Sequence, residues 1–95
     1  MYLPCYSDDN DTVYIAHCYP YTYTRLQNFL REVESDPKRK HLIQRKTHCQ
    51  TVAGNNCDNV IISDFSNGKE KKGIFLTSRV HPGETMASFI IQYII

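Results

Sequence analysis

Ninety-five residues with a formal net charge of +1 and a hydrophobic content of 41% make one small globular unit at most, and are more in keeping with part of a larger one. The balanced charge excludes a strongly basic or acidic protein, so bulk electrostatics identify no partner, and the hydrophobic content excludes disorder. A secretory leader, with its cationic start and cleavage site, is not expected, and the closing apolar run is about ten residues where a membrane span needs roughly twenty.

Met1 to Asp11 reads as an irregular lead-in with Pro4 and the acidic cluster Asp8-Asp9-Asn10-Asp11. Asn10-Asp11-Thr12 has the form of a glycosylation sequon, which carries little weight without a secretory route. Thr12 to Cys18 is rich in β-branched and aromatic residues and predicts a strand closed by Tyr19-Pro20. Thr24 and Gln27 have the spacing of a capping box, and Leu26, Phe29, Leu30 and Val33 follow as one apolar helical stripe. Ser35-Asp36-Pro37 ends that helix, because the residue before proline is pushed out of helical geometry.

A basic stretch from Lys38 to Lys46 reads as a solvated loop and strand edge, or more sharply as a surface for an acidic partner. Nothing near it supplies a nucleic-acid recognition motif. Strands are predicted around Ile43–Thr51 and Asn59–Asp64, with turn chemistry at Ala53-Gly54-Asn55-Asn56 between them. A polar connection from Phe65 to Gly73, with an Asn67-Gly68 turn inside it, leads to an apolar run, Ile74 to Val80, that reads as a buried strand. Met86 to Ile95 then reads as a helix with apolar residues on nearly every side, which calls for burial on most of its surface. That helix breaks off without a stop signal, so the chain reads as truncated at its C-terminus. The order β-α-β-β-β-α predicts an α/β domain with a mixed sheet over residues 12–95.

Cys5, Cys18, Cys49 and Cys57 form no Cys-x-x-Cys pair, and their scatter resembles reduced thiols more than a disulfide framework. A second zinc site from His48, Cys49 and Cys57 is conceivable, but adjacent His-Cys is a poor chelating geometry; packing and loop roles suit these residues better.

The chemistry is concentrated in Ser78-Arg79-Val80-His81-Pro82-Gly83-Glu84-Thr85. Zinc accepts imidazole nitrogen and carboxylate oxygen, and catalytic sites commonly use two histidines, a glutamate and a water. His81 and Glu84 supply two such ligands where a strand is expected to turn into a helix, the place where ligand sites gather in α/β sheets. Pro82 biases His81 towards extended backbone, and Gly83 removes bulk between the two ligands. Glu84 is also favoured at a helix N-terminus without any metal, so the spacing alone leaves a purely structural role open.

Three motifs in one order, Ala16-His17-Cys18-Tyr19-Pro20-Tyr21-Thr22-Tyr23-Thr24, Thr51-Val52-Ala53-Gly54-Asn55 and Ser78 to Thr85, resemble the cytosolic carboxypeptidases, the tubulin-deglutamylase branch of the zinc metallocarboxypeptidases. The resemblance covers nearly all of the chain from about Thr12 and implies an amino-proximal part of the catalytic domain. It implies a catalytic zinc on His81 and Glu84, with the third histidine ligand, an Asn-Arg pair that grips the substrate carboxylate, and the general-base glutamate all downstream of Ile95. His17, His41 and His48 precede the motif and are not expected to replace the missing ligand. It further implies hydrolysis of glutamates from the tails of tubulin or other acidic proteins, a cytoplasmic or microtubule-associated location, and an inactive chain in isolation.

Two other readings stay open. One is a non-enzymatic truncated isoform or partial gene model acting only as a binding module. The other is a related zinc acyl-amide hydrolase for small molecules, against which the Tyr-Pro-Tyr corner argues. That corner could also stack single-stranded nucleic acid, although packing of a strand-to-helix turn is the commoner use of such residues.

Overall fold

The computed structural model describes residues 12–95. The lead-in 1–11, with Cys5 and the sequon residue Asn10, lies outside the described residues.

Helix α1 (Tyr23–Ser35) is capped by Thr22, whose extended backbone (φ −84°, ψ 160°) lets its hydroxyl accept from the Arg25 amide at 3.1 Å. The helix cap therefore sits two residues before the Thr24 of the expected capping box, no capping box forms, and Gln27 is free for another task. The two threonines carry the same capping hydroxyl. Thr22 takes the role because it follows Pro20 and the buried Tyr21, which bring the chain in extended and fix the entry to the helix. At the other end Asp36 leaves the helix at φ −66°, ψ 114°, as its position before Pro37 requires. Of the predicted stripe, Leu30 and Val33 are buried and Leu26 and Phe29 are half-buried.

A short 3-10 turn (Lys40–Leu42) leads into strand β1 (Ile43–Gln50), which pairs antiparallel with β2 (Asn56–Ile62). Ile43 faces Ile62, Arg45 faces Val60 and Thr47 faces Asp58; beyond a bulge at His48, Cys49 faces Cys57. The connecting turn is closed by the Gly54 amide on the Thr51 carbonyl (2.9 Å) and the Thr51 amide on the Asn55 carbonyl (2.8 Å). Gly54 sits at φ +77°, where a side chain would be strained. The Asn67-Gly68 pair makes a side-chain turn instead of a hairpin, with the Lys69 amide donating to Asn67 Oδ1 at 3.1 Å.

A polar cluster ties the hairpin to α1. Asp58, its side chain only 2% exposed, accepts from Arg45 Nη2 (2.6 Å), Gln27 Nε2 (3.2 Å) and the Thr47 hydroxyl (2.8 Å). Arg45 also reaches Gln27 Oε1 and Glu34. Burial by itself raises the Asp58 carboxyl, but the hydrogen bonds from Arg45, Gln27 and Thr47 and the Arg45 charge outweigh it and leave the group below the usual aspartate range.

Helix α2 (Thr85–Ile94) joins the rest through one aromatic cluster. The Phe89 ring meets Tyr21 edge-on at 5.0 Å and Tyr19 at 6.0 Å, and the Arg25 guanidinium lies 4.8 Å from the Phe89 centroid. Tyr23 completes the corner, its hydroxyl accepting from the Asn56 amide at 3.1 Å. The tyrosine-rich segment thus packs and anchors a helix start.

Two expected strands are absent. Residues 12–18 and 74–80 lie outside any ladder, and Tyr14, Ile74 and Phe75 are 91%, 87% and 85% exposed. Neither run joins a sheet among the described residues, and a strand exists only through the hydrogen bonds of its neighbour. The buried setting expected for 74–80 is overturned with it. Helix α2 likewise leaves Met86, Ile90, Tyr93 and Ile94 exposed, so the burial expected on most of its surface is not met. The described residues form a small mixed α/β unit, α-β-β-α with a two-stranded antiparallel sheet, in place of the predicted mixed sheet.

Candidate metal centre

Pro82, which has no amide hydrogen, sits inside a tight turn over residues 80–83, and the turn delivers Glu84 to the N-cap position of α2. The Glu84 amide donates to the His81 carbonyl at 3.1 Å, and the Glu84 carbonyl accepts from the Ala87 amide at 3.0 Å. Glu84 makes no side-chain capping bond. Its carboxylate turns back, and Oε1 lies 2.9 Å from His81 Nδ1. Glu84 thus stands at the helix N-terminus, where the dipole favours its charge, while its side chain bonds His81 and not a backbone amide.

The backbone is shaped by Arg79. It is the only non-glycine at positive φ (+55°) among the described residues. Its guanidinium donates to the Pro82 carbonyl through Nε (3.1 Å) and Nη2 (3.0 Å), and to the Tyr21 carbonyl through Nη1 (2.8 Å). One side chain therefore closes the turn and ties it to the residue that precedes the cap of α1. Gly83 has a smaller part than its place between the ligands suggests: it is not at positive φ, and a Cβ there meets nothing within 4 Å. Nothing in the sequence spacing marked Arg79, because both of its partners are backbone carbonyls.

The donor set fits zinc. Two ligands at 2.0–2.1 Å on a tetrahedral ion stand about 3.3 Å apart, so Nδ1 and Oε1 need to part by only a few tenths of an ångström. Both side chains are open to solvent, 76% exposed for His81 and 54% for Glu84. Among the described residues no group of three or more His, Cys, Asp and Glu side chains could hold a metal. His17 shares a shallow depression with Tyr21, Arg79 and Gly83; His41 lies in the 3-10 turn and His48 at the strand bulge. In the basic stretch, Arg39 pairs with Asp36 at 2.7 Å and Arg45 is committed to Asp58. No helix among the described residues is long and apolar enough to cross a membrane.

Comparison with known proteins finds no matching family model and no matching solved structure. Curated sequences do match. Cytosolic carboxypeptidase 2 of Danio rerio is 46% identical over 88 residues, 88% of this chain and 12% of that protein. Cytosolic carboxypeptidase 3 of Bos taurus is 42% identical over 86% of the chain and 8% of its own length. Cytosolic carboxypeptidase 6 of Mus musculus is 42% identical over 96% of the chain and 17% of its own length. The chain therefore spans between 8 and 17% of these relatives. Over the stretch that it spans, the chain belongs to the cytosolic carboxypeptidase family.

Proposed function

We propose that this chain carries the first two zinc ligands, His81 and Glu84, of a cytoplasmic metallocarboxypeptidase that removes glutamates from tubulin and other acidic-tailed proteins. The observation that supports it is the approach of His81 Nδ1 to Glu84 Oε1 at 2.9 Å, on a turn clamped by Arg79, in a chain of this family. The chemistry supplied by bound zinc is activation of a water and polarisation of the scissile carbonyl. The residues of this chain would hold the ion and orient it: His81 through its imidazole, Glu84 through its carboxylate, Arg79 by fixing the turn that joins them. With two ligands, the 95-residue chain on its own would be inactive and would bind zinc weakly.

The test is expression of the whole open reading frame that encodes this stretch, assayed for glutamate release from a peptide ending in several glutamates. Zinc-dependent release is expected, with His81→Ala and Glu84→Ala each abolishing both bound zinc and activity. Release that persists in either variant, or hydrolysis confined to small acyl-amides, would sink the proposal. A stop codon directly after Ile95 would instead leave a product limited to binding.

A further inference from the structure

The ladder between β1 and β2 places two cysteines directly opposite each other, Cys49 and Cys57, and both are exposed. Facing residues in an antiparallel pair have Cα atoms about 4.5–5.5 Å apart, inside the roughly 4.4–6.8 Å that a disulfide spans. The bulge at His48 sets this register: it shifts the pairing by one residue between Thr47 and Cys49. Without it, the pattern that pairs Thr47 with Asp58 would set Cys49 against Asn56. The hairpin tip is held in place on its other side, where the Tyr23 hydroxyl binds both the amide and the carbonyl of Asn56.

We propose that Cys49 and Cys57 are a modification site, a cross-strand dithiol that low-molecular-weight disulfides convert into an internal disulfide. One protein thiolate attacks a sulfur of the small disulfide and displaces a small thiolate, leaving a mixed disulfide on the protein. The second cysteine, as its thiolate, attacks the protein sulfur of that mixed disulfide and displaces the second small thiol. Two electrons pass from the protein pair to the small disulfide, and the two cysteine protons end on the two small thiols released. The charge of Cys49 is the main influence that pushes the Cys57 thiol up, consistent with two sulfurs facing each other closely. The product staples the two strands beside the turn at residues 51–55.

The probe is glutathione disulfide in a glutathione buffer, applied to the whole protein that contains this stretch, with alkylation of free thiols and peptide mapping by mass spectrometry. The expected product is one internal Cys49–Cys57 link with no retained glutathione, while Cys49→Ser and Cys57→Ser each accumulate the mixed disulfide. A register control, Cys57→Ser with Asn59→Cys, keeps a similar loop length but removes the facing geometry. Its closure should be at least about tenfold less favourable. Stable double glutathionylation, preferred pairing with Cys5 or Cys18, or equal closure in the register control would each overturn the proposal.

Discussion

At the scale of single residues, Arg79 matters most for the candidate site. It adopts a backbone conformation that non-glycine residues reach at a cost, and its three hydrogen bonds to carbonyls hold it there. Residues that orient metal ligands from behind typically change metal affinity by about 10- to 100-fold when lost. Arg79→Met is therefore expected to weaken cobalt(II) binding by about tenfold, read from the visible spectrum of the ion, while His81→Ala removes the signal. Unchanged affinity in the Arg79 variant would mean that the turn holds its shape without the clamp. Asp58 gives a second residue-level prediction. Its folded carboxyl lies below the ordinary aspartate value, so the native state favours the ionised form. That contribution is complete above the unfolded pKa of about 4 and is lost as pH falls through the lower, folded value. Acid titration followed by NMR should thus detach α1 from the hairpin only below the normal aspartate range. Asp58→Ala, which removes the acceptor shared by Arg45, Gln27 and Thr47 and leaves Arg45 only Glu34 and Gln27, should cost about 2 kcal/mol at neutral pH.

At the scale of elements, what the sequence made legible was local. The Leu26-Phe29-Leu30-Val33 stripe specifies α1, Asp36-Pro37 ends it, and Ala53-Gly54-Asn55 closes the hairpin, because each signal acts within a few residues. Ile74 to Val80 and Thr12 to Cys18 carry equally good strand composition, yet composition cannot supply the neighbouring strand that a ladder needs. The candidate site divides in the same way. His81 and Glu84 were visible as a spacing, whereas the Arg79 clamp joins residues 58 positions apart through a carbonyl that any amino acid would present. The start of α1 offers a direct test of a local signal that misled. Thr22→Ala should cost about 1 kcal/mol and speed hydrogen exchange at the Arg25 amide, while Thr24→Ala should leave both nearly unchanged. The reverse outcome would restore the capping box at Thr24.

At the scale of the whole molecule, the dimensions bear on whether this chain is a folding unit. Its radius of gyration is 18.2 Å, whereas a compact domain of this length has about 12 Å. The accessible surface of 8591 Å² compares with about 5,700 Å² for a folded monomer of this mass. Ile74 and Phe75, where a strand failed to form, and Ile90 and Tyr93, along the open side of α2, are among the exposed large hydrophobics. Only Tyr21, Leu30 and Val33 are buried hydrophobics among the described residues, too few to offset the conformational entropy of ordering the chain. Residues 1–95 in isolation are therefore expected to bind a hydrophobic dye and to lose helix signal gradually on heating, with α2 and residues 74–80 exchanging amide hydrogens fastest. The hairpin and α1, joined through Asp58, should be the last to exchange. A single sharp melting transition with uniform protection would contradict this, since it requires the exposed apolar runs to be buried in a core that these contacts do not provide.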